Sequence, residues 1–292
     1  MIKRSKGEVV FNIFNWIILG GFGFVCLYPM IYVLLASLSN SNLLMAHEGL
    51  LWKPLDFTLG AYKSVLNNSM IFTGYRNTLF VLIVGVTINI LMTVLGAYFL
   101  SRKNVYFKNI ITGFILFTMY FSGGIIPGYM IVRSLGLENS LWALILPCAL
   151  NTYNMIIMRT GFSAIPETLH EAAEIDGANE LQILFKIYIH LAKATIAVMV
   201  LYYAVSHWNS WFNAAIYLSD RSKYPLQLVM REILIINDVN SMSGTTSSAD
   251  TEMIAMSLKY ASIIVATLPI LVVYPFLQKY FVGGVMIGSI KG

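Results

Sequence analysis

Apolar residues fall in long blocks along this chain, with short polar breaks between them. Six blocks are long enough to cross about 30 Å of hydrocarbon as helices: residues 11–38, 77–100, 110–132, 141–158, 194–218 and 260–277. The fifth has to end before Leu218, and its outer end is the least sharply marked. The polar residues inside the blocks, Asn89, Thr93, Ser122, Asn151, Asn154 and Thr267, are expected to make hydrogen bonds between helices. Pro127 and Pro269 are expected to kink the third and sixth spans and open a cavity. The first block is too long for a secretory signal, and no small-residue cleavage site follows it cleanly.

Composition agrees with this pattern. The chain of 292 residues is 58% hydrophobic and 11% charged, with a mean hydropathy of +0.72; soluble domains carry roughly 25% charged residues. An all-α polytopic membrane protein is expected, with residues 1–292 forming one transmembrane domain. Lys3, Arg4 and Lys6 precede the first span, and Arg102, Lys103 and Lys108 lie between the second and third. The link between the third and fourth carries only Arg133 against Glu138. Positive charge on short cytosolic links then places both termini in the cytosol, together with the polar break at 163–185. Segments 39–76 and 219–252 face outward. The pI near 9.1 reflects this topology, since no basic patch interleaved with aromatics suggests nucleic acid.

Several chemistries are excluded. Cys26 and Cys148 both lie inside spans and read as small apolar packing residues, with no disulfide. His47, His170, His190 and His207 have no metal-ligand spacing, so structural roles and no metal are expected. No Gly-x4-Gly-Lys-Ser/Thr loop is present to cradle nucleotide phosphates. Asp and Glu are missing from all six spans, and Arg159 and Lys193 sit near cytosolic ends where they can snorkel. A transporter built this way needs an energised partner. The alternatives are a secondary carrier or channel for a polar solute, and an integral-membrane enzyme, which would need paired intramembrane His or Asp.

The break at 163–185 holds the densest signal. Glu171-Ala172-Ala173-Glu174-Ile175-Asp176-Gly177-Ala178 predicts a short helix, with Pro166 tolerated in its first turn and Ser163 as its cap. Leu169, Ala172 and Ala173 share one face and Glu167, Glu171 and Glu174 another. Gly177 fits a left-handed C-terminal cap, and Asn179 with Gln182 predicts a capping box opening the next helix. This octet resembles the EAA loop of ABC importer permeases, the element that contacts the ATPase subunit. The chain departs from that pattern where Ile189-His190 stands for Leu-Pro and Lys193-Ala194 for Lys-Pro. A less kinked following helix is therefore expected.

The likeness extends over nearly the whole chain. The tail at 278–292, with Gly283, Gly284, Gly288 and Lys291, is similar to the C-terminal signature of carbohydrate-importing permeases, in the group of the second maltose permease subunit. The stretch His207-Trp208-Asn209-Ser210-Trp211-Phe212-Asn213-Ala214 and the later Asp220-Arg221-Ser222-Lys223-Tyr224-Pro225-Leu226-Gln227-Leu228 resemble, within that group, the YtcP-type and alginate-importer oligosaccharide permease branch. The resemblance implies a type I ABC importer permease architecture in the cell membrane of a bacterium. It implies a homologous second permease, two ATPase subunits and an extracytoplasmic sugar-binding protein as partners. The chain itself binds no cofactor, and ATP and Mg belong to the partner ATPase. Glu171, Ala172, Ala173, Asp176 and Gly177 would meet that ATPase, and the tail glycines with Lys291 would reach its interface.

The residues at 207–213 admit two readings. Trp208 with Trp211 and Phe212, beside an amide stripe of Asn209 and Asn213, suits a sugar passage or its outer gate. The same aromatics suit a membrane interface. Segment 236–250, with Ser241, Ser243, Gly244, Thr245 and Thr246, is polar and reads as a solvated loop; the resemblance makes it the scoop loop that enters the binding protein's cleft. A chain this size cannot enclose a sugar path alone, so pairing with a similar permease is expected.

Overall fold

A computed structural model describes residues 6–243, 257–273 and 275 of the chain. Among the described residues the regular structure is entirely helical. The chain divides into two compact units, Met1–Ser69 with Glu232–Leu268 and Met70–Arg231 with Pro269–Gly292.

In the first unit, helix α1 (Lys6–Ser37) is apolar on every face. An 18-residue apolar window within Val10–Ser37 holds no buried residue, as a lipid-facing helix allows. Only its C-terminal end packs, where Ala36 joins Leu44 and Leu51 in a small core. The segment at 39–68 is not a plain loop. It folds into α2 (Ser41–Met45), capped by Asn40, and α3 (Gly60–Leu66). The Leu51 N–H donates to the Tyr28 hydroxyl at 2.8 Å, and the Ser37 and Tyr62 hydroxyls meet at 2.7 Å.

The second unit is built on α4 (Ser69–Ser101). Its buried positions, Ile71, Gly74, Thr78, Val81, Gly85, Asn89, Thr93, Ala97 and Leu100, recur at spacings of three and four and form one inward stripe. Gly85 leaves room for a neighbour, since a Cβ there would stand 2.7 Å from His207 Nε2. Small residues at such crossings let helices approach closely.

The other predicted spans are broken. The third becomes α5 (Lys108–Tyr120) and α6 (Ile125–Ser134), bent by 110°. The bend falls at Phe121–Gly124, where Gly124 has φ of +88°, and not at Pro127, which sits harmlessly in the first turn of α6. The fourth is two 3₁₀ turns over Leu141–Cys148 followed by α7 (Thr152–Ser163), bent by 48°. Pro269 lies within α14 (Ser257–Val273), a shorter apolar helix.

The entry to the fifth span corrects the expectation of a straighter helix. The segments Glu180–Leu191 and Lys193–Trp208 are bent by 85°. After α9 (Glu180–Ile183) the chain forms a π turn at Leu184–Tyr188 and one α turn, α10 (Ile189–Leu191), and breaks at Ala192 before α11 (Lys193–Trp208). An i→i+5 turn and a break are alternative sources of a kink, so the missing prolines do not straighten it. Among the described residues, two helices, Val10–Ser37 and Ser69–Ser101, are long and apolar enough to cross a membrane unbroken, and counting each of three bent pairs as one span gives up to five.

Candidate functional site

Helix α8 (Glu167–Ile175) begins one residue after Pro166, with Glu167 in its first turn. Ser163 does not cap it, because that residue is already the last of α7. Its C-terminus is a Schellman turn: Gly177 N–H donates to the Glu174 carbonyl and Ala178 N–H to the Ala173 carbonyl, both at 2.9 Å. Gly177 has φ of +82°, and a Cβ there would meet nothing within 4 Å. Glycine is needed for the backbone conformation, not for space. The capping box is complete, with Gln182 N–H on Asn179 Oδ1 at 2.9 Å and Asn179 N–H on Gln182 Oε1 at 3.0 Å.

The sequence reading named two faces of α8 without saying which points inward, and the structure divides the apolar one. His170 is buried, with Ala173 and Ala178 beside it against the core of Ile183, Leu184 and Tyr188. Leu169 and Ala172 face out with Glu171, Asp176 and Gly177. Ile175, 87% exposed, stands with them. Helical spacing groups Leu169, Ala172 and Ala173 but cannot say which edge of that stripe meets protein. The exposed edge presents an apolar knob rimmed by acids.

The elbow is tied to the end of α4. Arg102 pairs with Glu167 at 3.2 Å and donates to the Tyr188 hydroxyl at 3.0 Å. Lys103 adds a second contact to Glu167 at 3.6 Å. The Tyr98 hydroxyl donates to Glu180. Tyr98, Phe162 and Tyr188 pack edge to face beneath, with centroids 5.0–6.4 Å apart. Both elbow helices therefore grip one span. Sequence reading took Arg102 and Lys103 for topology markers only; Tyr98 and Arg102, one helical turn apart, were the available signal.

Farther along α4, beside Asn89 and Thr93, a cavity of about 450 Å³ is lined by Asn151, Asn154 and Asn213, by Tyr153, Tyr202, Tyr203, Ser206, Ser210 and His207, and by Pro147, Cys148 and Leu150. Among the described residues, no Asp, Glu, Lys or Arg lines it. Its wall is held by α4. Asn89, fully buried, donates to the Cys148 carbonyl at 2.5 Å and accepts from His207 Nε2 at 2.7 Å. Since the amide oxygen only accepts, Nε2 carries the proton. The Thr93 and Tyr203 hydroxyls meet at 2.7 Å, and Tyr203 also receives the Asn151 N–H at 3.1 Å.

Of the residues predicted for a passage, Asn213 lines this cavity and the other four do not. α11 ends at Trp208 and α12 (Phe212–Tyr217) starts afresh. One helix does not run through 208–213, so the stripe of Trp208, Trp211 and Phe212 does not exist. Trp208 is buried near Tyr75, and Asn209 turns its amide back to the Val205 carbonyl. Trp211 carries the Arg231 guanidinium 3.4 Å above its ring, with Phe212 edge-on. Asn151 and Asn154, read as helix glue, prove to be cavity lining.

The outward segment also differs. α13 (Leu226–Ser243) is helical through Ser241 and Ser243, where a loop was expected. Gly244, Thr245 and Thr246 lie outside the described residues, as do the tail positions Gly283, Gly284, Gly288 and Lys291.

Comparison with known proteins places this geometry. Residues 92–286 match the family model described as binding-protein-dependent transport system inner membrane component. Protein LplC of Bacillus subtilis is 38% identical over all of this chain and 98% of its own length. The polygalacturonan/rhamnogalacturonan transport system permease protein YtcP of the same organism is 39% identical over 93% of this chain and 94% of its own. A solved bacterial ABC transporter chain, from a system importing the acidic polysaccharide alginate, superposes with a TM-score of 0.86 at 33% identity, over 96% of this chain and 100% of that one. The fold is accordingly that of a type I ABC permease, and the chain belongs to the family of inner-membrane components of binding-protein-dependent transport systems.

Proposed function

We propose that this chain is one of two membrane subunits of an ATP-driven importer that takes an oligosaccharide from an extracytoplasmic binding protein. Six spans with both termini cytosolic form half of the passage, and a homologous permease forms the other half. Two ATPase subunits bind and hydrolyse ATP with Mg. Their closure is received by the exposed edge of α8, with Ile175, Ala172 and Glu171 as its contact surface. The chain carries no catalytic residue.

One observation carries this reading. α4 is held by the elbow at Tyr98 and Arg102 and holds the cavity wall through Asn89 and Thr93. Asn89 and Tyr98 are nine positions apart, about 13 Å along a single helix. A push on α8 therefore reaches the cavity through a rigid rod. The cavity's amides and hydroxyls suit sugar hydroxyls. Segment 244–246 and the tail at 283–291 are assigned to the binding protein and the ATPase on resemblance.

Reconstitution of the chain with its partner permease, ATPase and binding protein tests this. Uptake should need all four and ATP, and Asn154→Ala should lower uptake without lowering assembly. Sugar transport by this chain without an ATPase would make it a secondary carrier.

A further inference from the structure

We propose a divalent metal site of the zinc class in the elbow, formed by His170, Glu174 and Glu180. His170 is 1% exposed; neither ring nitrogen makes an aligned hydrogen bond, and Nε2 faces only carboxylate oxygens at ion-pair distance. A buried imidazole left this way is costly unless something meets its lone pair. Nε2 stands 3.2 Å from Glu174 Oε1 and 3.7 Å from Glu180 Oε1. One ligand atom from each residue lies within 4.8 Å of the others. In a tetrahedral site with bonds of 2.0–2.1 Å, ligand atoms stand about 3.3 Å apart. The two distances from Nε2 bracket that edge, so an ion fits with movement of exposed carboxylates only.

The surroundings favour a preformed site. The other oxygen of Glu180 receives the Tyr98 hydroxyl, which turns Oε1 toward the histidine. The Tyr188 ring packs edge-on against the imidazole at 6.2 Å and fixes its plane. His170 and Glu174 lie one turn apart on α8, and Glu180 opens α9 beyond the glycine turn. A bound ion would therefore pin the two helices across Gly177, with its fourth position open to water. Scattered histidines in the sequence hid this, because the third ligand comes from the next helix. That the ion would stiffen coupling rests on the function proposed above; its binding does not.

The test uses the full-length chain in lipid nanodiscs, stripped with chelator and kept reduced. Zn²⁺ affinity is read by competition with a chromophoric chelator, and Co²⁺ as a spectroscopic probe. The expected result is one Zn²⁺ per chain and a Co²⁺ spectrum of tetrahedral intensity without thiolate bands. Glu174→Gln and His170→Gln should each weaken Zn²⁺ by about tenfold or more, while His190→Gln, at an exposed histidine, should leave it unchanged. Glu174 is a surface carboxylate, so its variant decides the matter even if His170→Gln folds poorly. Zn²⁺ binding that is absent, or unaltered in Glu174→Gln, overturns the site.

Discussion

The elbow and the cavity are both tied to α4 yet are encoded differently. The elbow is written in consecutive residues: Ala173 and Ala178 close the Schellman turn, Gly177 supplies its φ of +82°, and Asn179 with Gln182 starts the next helix. The cavity is assembled from segments far apart, since Asn89 meets Cys148 59 positions away and His207 118 positions away. A local element tolerates change at one point without losing the rest. An assembled one loses several contacts when one buried polar group goes.

The sharpest way to break this comparison is Asn89→Leu. The change leaves the Cys148 carbonyl and His207 Nε2–H unpaired, and should destabilise by about 2–4 kcal/mol. A thermal melt of the chain in nanodiscs would measure it; a shift no larger than for Asn151→Ala would mean the cavity wall is held otherwise. Next comes Arg102→Ala, which removes the ties to Glu167 and Tyr188. Arg102 is 13% exposed, so about 1–2 kcal/mol is expected, with coupling of ATPase to transport reduced while cavity variants leave ATPase docking intact.

Trp211→Ala is expected to cost about 0.5–1 kcal/mol, the strength of one exposed cation–π contact, and to leave uptake per assembled complex near normal because Trp211 does not line the cavity. A changed substrate preference would place Trp211 on the passage. The smallest effect belongs to Asp220. Its carboxylate accepts the Ser222 N–H at 2.9 Å, which holds its pKa below the usual carboxylate value. A depressed folded pKa contributes stability present above the ordinary carboxylate range and lost as pH falls through the folded value. Asp220→Asn should therefore lower the melting temperature slightly at neutral pH and flatten its fall on the acid side.

Legibility followed the same division. The helix, Gly177 and the capping box at 171–182 could be read because each depends on neighbours within a turn. The inward face of α8 could not, because His170 is buried by Tyr188 and not by anything its own helix supplies. The 85° bend before α11 was missed because proline is only one cause of kinks and a π turn leaves no residue signature. The stripe at 208–213 failed because a break at Asn209 resets helical phase. Asn151 and Asn154 could not be told from helix glue without knowing that Tyr203 already satisfies the neighbouring backbone.

The account's central claim is that the elbow transmits ATPase closure to the cavity through α4. Gly177→Val tests it most directly, because a Cβ there meets no atom within 4 Å and the cost falls on the backbone, about 1–2 kcal/mol. The measurement is ATP hydrolysis by the reconstituted complex with and without loaded binding protein. Normal assembly with loss of the stimulated rate is predicted. Full stimulation in an assembled Gly177→Val complex would contradict the account.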